Sequence, residues 1–299
     1  MSGKDSKIVL GTAQFGLGYG QNLSEPIPPP EVSEILALAW ERGIDALDTA
    51  AAYGTAEEVI GAQTPAGARF HITTKISRAG VDIIGEKEVD AARASVRTSL
   101  KRLRAARLDG VLFHHVSDLF APGGPALFRA IADFKKDGIV NRIGVSVYEP
   151  EELDRVLADY PIDVVQLPFN VADQRFMTSG HLERLSKRNI QVQVRSVFLQ
   201  GLLLSDAKHL PARFKKLEQL LAMADADAAA LGLSREAFLL HYATMNSHVS
   251  SVVIGVDGVE HLRRNLSALE ASASSKEFRE FSRYAVDDLE LIDPRKWSQ

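Results

Sequence analysis

The sequence predicts an α/β protein, a single (β/α)8 TIM barrel, and three observations carry that expectation. Eight short apolar stretches alternate with helical ones along the chain, and strict alternation implies parallel pairing through crossover helices. The stretches are rich in Val, Ile and Leu, as strands covered on both faces must be. No GxGxxG separates the first strand from the first helix, which weakens the alternative of an open, doubly wound sheet.

The first strand is IVLGTA (Ile8–Ala13), short and β-rich. Gly11, Gly16, Gly18 and Gly20 mark a loop where backbone must pass close to something. Pro26–Pro30 leads into the helix EVSEILALAWERG, which Gly43 stops. IDALDTA is the second strand. TAEEVIGAQ is a short helix, with Thr55 as N-cap and Glu58 three positions on. His71–Ile76 is the third strand, and EVDAARASVRTSLKRLR is a long amphipathic helix. DGVLFHH is the fourth strand, followed by a Gly/Pro loop, SDLFAPGGP, and the helix ALFRAIADFKKDG. RIGVSV, DVVQLPFN and QVQVRSV are strands five to seven. The helices between them are PEELDRVLADY, with Pro150 in its first turn, and HLERLSKRN. A longer loop, QGLLLSDAKHLPA, precedes helical sequence to about Met245. SSVVIGV is the eighth strand and VEHLRRNLSAL its helix. A polar helical extension is expected from about Ser275 to Leu291. With no long internal linker, residues 1–299 read as one domain.

Bulk properties exclude several function classes. Apolar content of 45% and charged content of 25% describe an ordinary globular chain. Net charge is −4 with Lys and Arg scattered, so no nucleic-acid face is expected. The absence of cysteine excludes disulfides, thiolate metal sites and a thiol nucleophile, and fits a reducing cytoplasm. MSGKDSKIVL lacks the apolar core of a signal peptide, and no window is long and apolar enough for a membrane span.

Chemistry concentrates at strand ends. Asp48 closes the second strand and Tyr53 follows on its loop; Lys75 lies near the end of the third and His114 at the end of the fourth. In a parallel barrel these ends converge on one pocket. A phenol can donate a proton to a developing alkoxide, and a nearby ammonium would lower its pKa. Asp48 would hold that ammonium. His114 could polarise a carbonyl oxygen, and alternation sends His115 to the opposite face. Alone, each residue reads more readily as a cap, a rim charge or a packing side chain. Together they suit proton delivery to a carbonyl oxygen, with hydride from a nicotinamide or flavin.

The motifs DALDTAAAYG, TTK and LFHH resemble the aldo-keto reductase superfamily, and the resemblance runs from LGTAQFG to VEHLRRNLSAL. It implies NAD(P)H-dependent carbonyl reduction. Tyr53 would be the general acid, Lys75 and Asp48 its activators, and His114 the residue that orients the carbonyl. It also implies that Ser146 and Gln166 bind the nicotinamide carboxamide, although Gln166 reads otherwise as a satisfied interior amide. Arg195 stands where many relatives carry a stacking aromatic. Gln200, Gly201 and Leu202 would offer backbone N–H groups to the pyrophosphate. Gly255, Val256, Asp257, His261, Arg264 and Asn265 would surround the adenosine half, where a strand runs into a helix start suited to anions. Gly255 replaces a lysine that clasps the 2′-phosphate in some relatives, and His261 replaces an arginine. The resemblance leans to NADP(H), with NAD(H) possible.

The expected partner is a small-molecule carbonyl substrate, with no nucleic acid or membrane and a monomer favoured. Phe15, Tyr19, Phe120, Phe169 and Phe198 are candidates for the substrate pocket, and QNLSEPIPPP and SDLFAPGGP are candidate lids. Two other readings compete: a cofactor-binding regulatory subunit on the same barrel, and an unrelated phosphate-binding lyase or isomerase, which would have no use for Tyr53.

Overall fold

The computed structural model describes residues 7–18, 25–274 and 280–297. Its strands are β1 (Ile8–Gly11), β2 (Ala46–Asp48), β3 (His71–Ile76), β4 (Leu108–Phe113), β5 (Val140–Ser146), β6 (Val164–Pro168), β7 (Gln191–Arg195) and β8 (Ser251–Gly255). They close into a barrel in chain order, each parallel to the next, with β8 pairing back onto β1. All five residues of β6 are buried, as both-face coverage requires. Leu10, Val111, Val165 and Val194 have no exposed surface, and each such side chain stabilises the fold by about 1.5–3 kcal/mol.

The helices form the outer layer. In Glu86–Arg102, Val89, Ala92, Val96 and Ser99 are buried at spacings of three and four, so one face packs inward. Glu88 secures its start by accepting from Gly85 N–H at 2.9 Å. The expected cap of the helix Ala56–Gln63 differs. Thr55 holds the N-cap position without a side-chain bond, and Glu58 pairs with Arg102 at 3.1 Å instead.

Register places the polar residues. Gly11 pairs with both Asp48 and Gly255, and Asp48 with Thr73. Ser146, Gln166, Gln193 and Ser251 are successive partners across β5 to β8. These positions build a polar level within an otherwise apolar barrel.

Several connections are more ordered than expected. Ser117–Phe120, read as loop and candidate lid, is one helical turn, and its buried Asp118 accepts from Ala79 N–H at 2.7 Å. The long connection after β7 forms 3-10 turns at Leu202–Leu204, Ala207–His209 and Ala212–Leu217. The C-terminal extension is broken into turns at Phe281–Tyr284, Leu289–Ile292 and Pro294–Lys296 in place of a continuous helix. Tyr19, residues 21–24 of one candidate lid and residues 275–279 lie outside the described residues.

Candidate active site

Two glycines position Tyr53. A Cβ on Gly16 would lie 2.0 Å from Tyr53 O and 2.3 Å from Ala56 N, and one on Gly54 would lie 2.2 Å from Gly16 O. The loops after β1 and β2 therefore meet backbone to backbone, and Gly54 takes a positive φ of 55° to do so. The carbonyl of Asp48 accepts from Thr12 N–H at 3.0 Å and Thr12 Oγ1 at 2.9 Å, which ties the same two strand ends.

Lys75 Nζ lies 2.6 Å from Asp48 Oδ2 and donates to Thr49 O at 3.0 Å. Gln166 Nε2 donates to Asp48 Oδ1 at 2.7 Å and to Gln193 Oε1 at 2.6 Å. One chain of polar groups thus crosses the barrel from β3 to β7. Lys75 Nζ also sits 5.2 Å from the centre of the Tyr53 ring, and the Tyr53 and His114 rings meet edge to face at 6.0 Å. The structure brings together all four groups anticipated at the strand ends. His115 is exposed, as alternation requires.

Burial sets the protonation states. It raises the Tyr53 phenol well above its usual range, Asp48 adds to the rise, and Arg195 opposes it. The lowering expected from Lys75 does not appear, and Tyr53 holds its proton at neutral pH. Burial lowers the Lys75 pKa while Asp48 pulls it back. Burial, then the Lys75 charge, lowers His114 to about 3 and leaves its imidazole neutral.

A cavity of about 490 Å³ opens at this end of the barrel. Asp48, Tyr53, His114, Ser146, Gln166, Arg195, Gln200, Gly201, Gly255, Asp257 and His261 line it. Four anticipated cofactor residues do not. Leu202 and Val256 have no exposed surface and belong to the apolar core. Arg264 faces a separate groove, together with Glu236 and Arg263. Asn265 is wholly buried, and neither atom of its amide has a hydrogen-bond partner. The N–H cradle foreseen after β7 is largely spent: Gly201 N–H donates to Phe198 O at 2.9 Å and Leu202 N–H to Leu199 O at 3.0 Å. That loop holds Ser196, Leu199 and Gln200 at positive φ, local strain of the kind that collects at ligand sites.

Of the candidate substrate aromatics, only Phe198 lines the cavity among the described residues. Phe15 and Phe169 are core, Phe169 stacking on Tyr242 at 4.7 Å, and Arg155 covers the Phe120 ring at 3.7 Å. Sequence reasoning missed Tyr148 and Gln14, which do line it. Tyr148 follows a strand end by two residues, the same signal that singled out Tyr53. The Gln14 amide packs 3.0 Å from where a Gly255 Cβ would be.

The anion site foreseen at the start of the helix Val259–Ala273 is occupied by the chain itself. Glu31 Oε1 accepts from Val259 N–H at 3.0 Å and stands 2.6 Å from where a Gly258 Cβ would be. Nearby, Asp257 N–H donates to His261 Nδ1 at 3.1 Å. Burial lowers the His261 pKa, so that ring is neutral near pH 7.

The cavity's mixed lining, with Ser146, Gln166, Gln200 and His261 beside Val197, Phe198 and Leu204, fits a polar, partly aromatic ligand such as a dinucleotide. No helix among the described residues is long and apolar enough to cross a membrane. A family model described as "Aldo/keto reductase family" matches residues 7–285. An aldo-keto reductase of Mycobacterium sp. (strain JLS) is 35% identical over 152 residues, 49% of each chain, so the match spans about half that relative's length. A D-threo-aldose 1-dehydrogenase of Pseudomonas sp is 25% identical over 250 residues, 72% of this chain and 75% of that one. The solved structure of aldo-keto reductase AKR11C1 from Bacillus halodurans, in its holo form, gives a TM-score of 0.70 at 18% identity. It covers 93% of this chain and 90% of that one, a likeness of fold alone. The family match takes in every strand of the barrel and all four groups at its mouth, and the chain belongs to the aldo/keto reductase family.

Proposed function

We propose that this chain reduces the carbonyl of a small molecule to an alcohol, with Tyr53 as the proton donor. The observation that carries this reading is a protonated, half-buried phenol edge-to-face with a neutral imidazole and 5.2 Å from a buried ammonium. A nicotinamide dinucleotide, when bound, supplies the hydride to the carbonyl carbon. Tyr53 gives its proton to the carbonyl oxygen as negative charge develops there. His114, neutral, donates a hydrogen bond to the same oxygen and fixes its direction. Lys75, neutralised by Asp48 in the ground state, offsets the charge that a departing proton leaves on the phenol. Ser146, Gln166, Gln200 and Gly201 line the cofactor side of the cavity in this reading, and Gly255, Asp257 and His261 its adenosine end.

For the form of the dinucleotide we take NAD(H) over the NADP(H) that the resemblance favours. Glu31 already fills the helix start, Asp257 adds a second carboxylate, and His261 brings no positive charge; a 2′-phosphate would meet repulsion there. The lack of cysteine suits the cytoplasm, which we take as the compartment.

The test follows oxidation of NADH and of NADPH by absorbance with 4-nitrobenzaldehyde. Turnover in the wild type that falls at least a thousandfold in Tyr53→Phe supports the reading. Undiminished turnover in that variant, or no binding of either dinucleotide, removes it. Tight dinucleotide binding without turnover of any carbonyl would favour the regulatory-subunit reading.

A further inference from the structure

Gln193 stands on β7 between Val192 and Val194, two core residues with no exposed surface. Alternation sends Gln193 to the opposite face, and there its register partner on β6 is Gln166, part of the cavity wall. Gln193 itself is buried and does not line the cavity. A primary amide inside an apolar barrel is costly unless its groups are bonded, so its partner shows what it is there to do.

Asp48 sets the sense of the neighbouring amide. Its carboxylate pairs with Lys75 and can only accept, so Gln166 must turn its NH2 group toward Oδ1, which it meets at 2.7 Å. Gln166 then has a second N–H to place, and Gln193 Oε1 accepts it at 2.6 Å. A single bond would leave the amide free to swing about the line from its nitrogen to Asp48. The second bond, to a different strand, removes that freedom and gives the carbonyl oxygen one direction. Both donors of Gln166 are occupied inside the barrel, and among the described residues its side-chain oxygen accepts no hydrogen bond.

The cavity therefore presents a fixed acceptor beside the Asp48–Lys75 pair, and a ligand that meets it must bring an N–H or O–H. In a nicotinamide dinucleotide the substituent next to the hydride-bearing carbon is a carboxamide, whose NH2 is such a donor. We propose that Gln193 is a positioning residue for the dinucleotide: by taking the second N–H of Gln166 it holds that side chain as a pure acceptor for the carboxamide NH2. The inference rests on the dinucleotide of the reading above, but its test is binding and needs no turnover.

Kd is measured by fluorescence for NADH and for two reduced analogues. The 3-acetylpyridine form carries a methyl ketone and has no N–H at this position; the thionicotinamide form keeps the NH2. The wild type should hold NADH about tenfold or more tighter than the acetylpyridine form, with the thionicotinamide form close to NADH. Gln193→Met follows the stem of glutamine but offers only a weak acceptor. It should bring the preference for NADH over the acetylpyridine form to about threefold or less, by weakening NADH and leaving the analogue nearly unchanged. Gln193→Thr, too short to reach Gln166, should do the same and serves if the first variant folds poorly. A general loosening of the barrel would weaken all three ligands together and keep the ratio. A wild type that binds NADH without discriminating, or a preference that survives in both variants, overturns the proposal and leaves the reductase reading standing. A preference that depends on Gln193, with no carbonyl turned over, upholds the proposal and removes the reductase reading. If no dinucleotide binds, both fall.

Discussion

Replacing Lys75 by Met takes one member out of an ion pair whose side chains are only 1% and 6% exposed. Afterwards the Asp48 carboxylate keeps the Gln166 amide and loses its cation, and Thr49 O loses a donor at 3.0 Å. Breaking a buried pair from one side costs about 3–5 kcal/mol, because the remaining charge is left without compensation. Met follows the lysine stem closely in length and volume, so the cavity contribution is small. The expected loss is therefore about 3–5 kcal/mol, measurable against a typical total of about 5–15 kcal/mol. The assay is urea unfolding followed by far-UV circular dichroism at pH 7.5, reading the midpoint at constant slope. The double variant Asp48→Asn/Lys75→Met removes both charges and should cost less than Lys75→Met alone. Turnover should collapse in both variants, because Tyr53 loses the charge that eases its proton transfer. A deficit below about 1 kcal/mol in Lys75→Met, or a double variant as unstable as the sum of its parts, would show that the buried pair is not organised as described.

Three further outcomes follow from the same geometry. His114 is neutral in the folded state down to about pH 3, whereas an unfolded histidine takes its proton near pH 6.5. Between those values the unfolded state binds more protons, so stability falls as pH falls, by up to about 1.4 kcal/mol per pH unit; His114→Asn should flatten that slope in urea melts from pH 4 to 7. Gly16→Ala places a methyl 2.0 Å from Tyr53 O and should lower both melting temperature and turnover. Gly67→Ala, with open space around it, should cost only about 1 kcal/mol for its positive φ, and equal effects would discount the loop contact. Glu31→Gln removes one negative charge from the start of the helix Val259–Ala273 and should lower the ratio of NADPH to NADH Kd several-fold; an unchanged ratio would separate Glu31 from cofactor choice.

What could be read from the sequence was what a periodic rule reaches. Short apolar runs alternating with helices and their stops mark eight strands, and an ionisable residue closing an apolar strand can go only to the barrel mouth or into a partnered interior. Asp48 and Lys75 satisfy both conditions, which is why their pairing was legible. The misplaced residues lie where period and spacing lose force. Leu202 was read as part of an N–H cradle, but a 3-10 turn spends those donors locally, and only the sign of φ at Leu199 and Gln200 reveals it. Gln166 lines the cavity, and what the sequence could not show is that its amide also donates to Asp48 from across the barrel, a partner 118 residues away. Glu31 went unnoticed because a glutamate in a first helical turn is ordinary, and its acceptor role depends on a helix 228 residues later. The same limit explains Arg195. Sequence flagged it only as a departure from an aromatic, whereas the structure lays its guanidinium on the Tyr148 ring, a contact made across two strands and shared with Arg295.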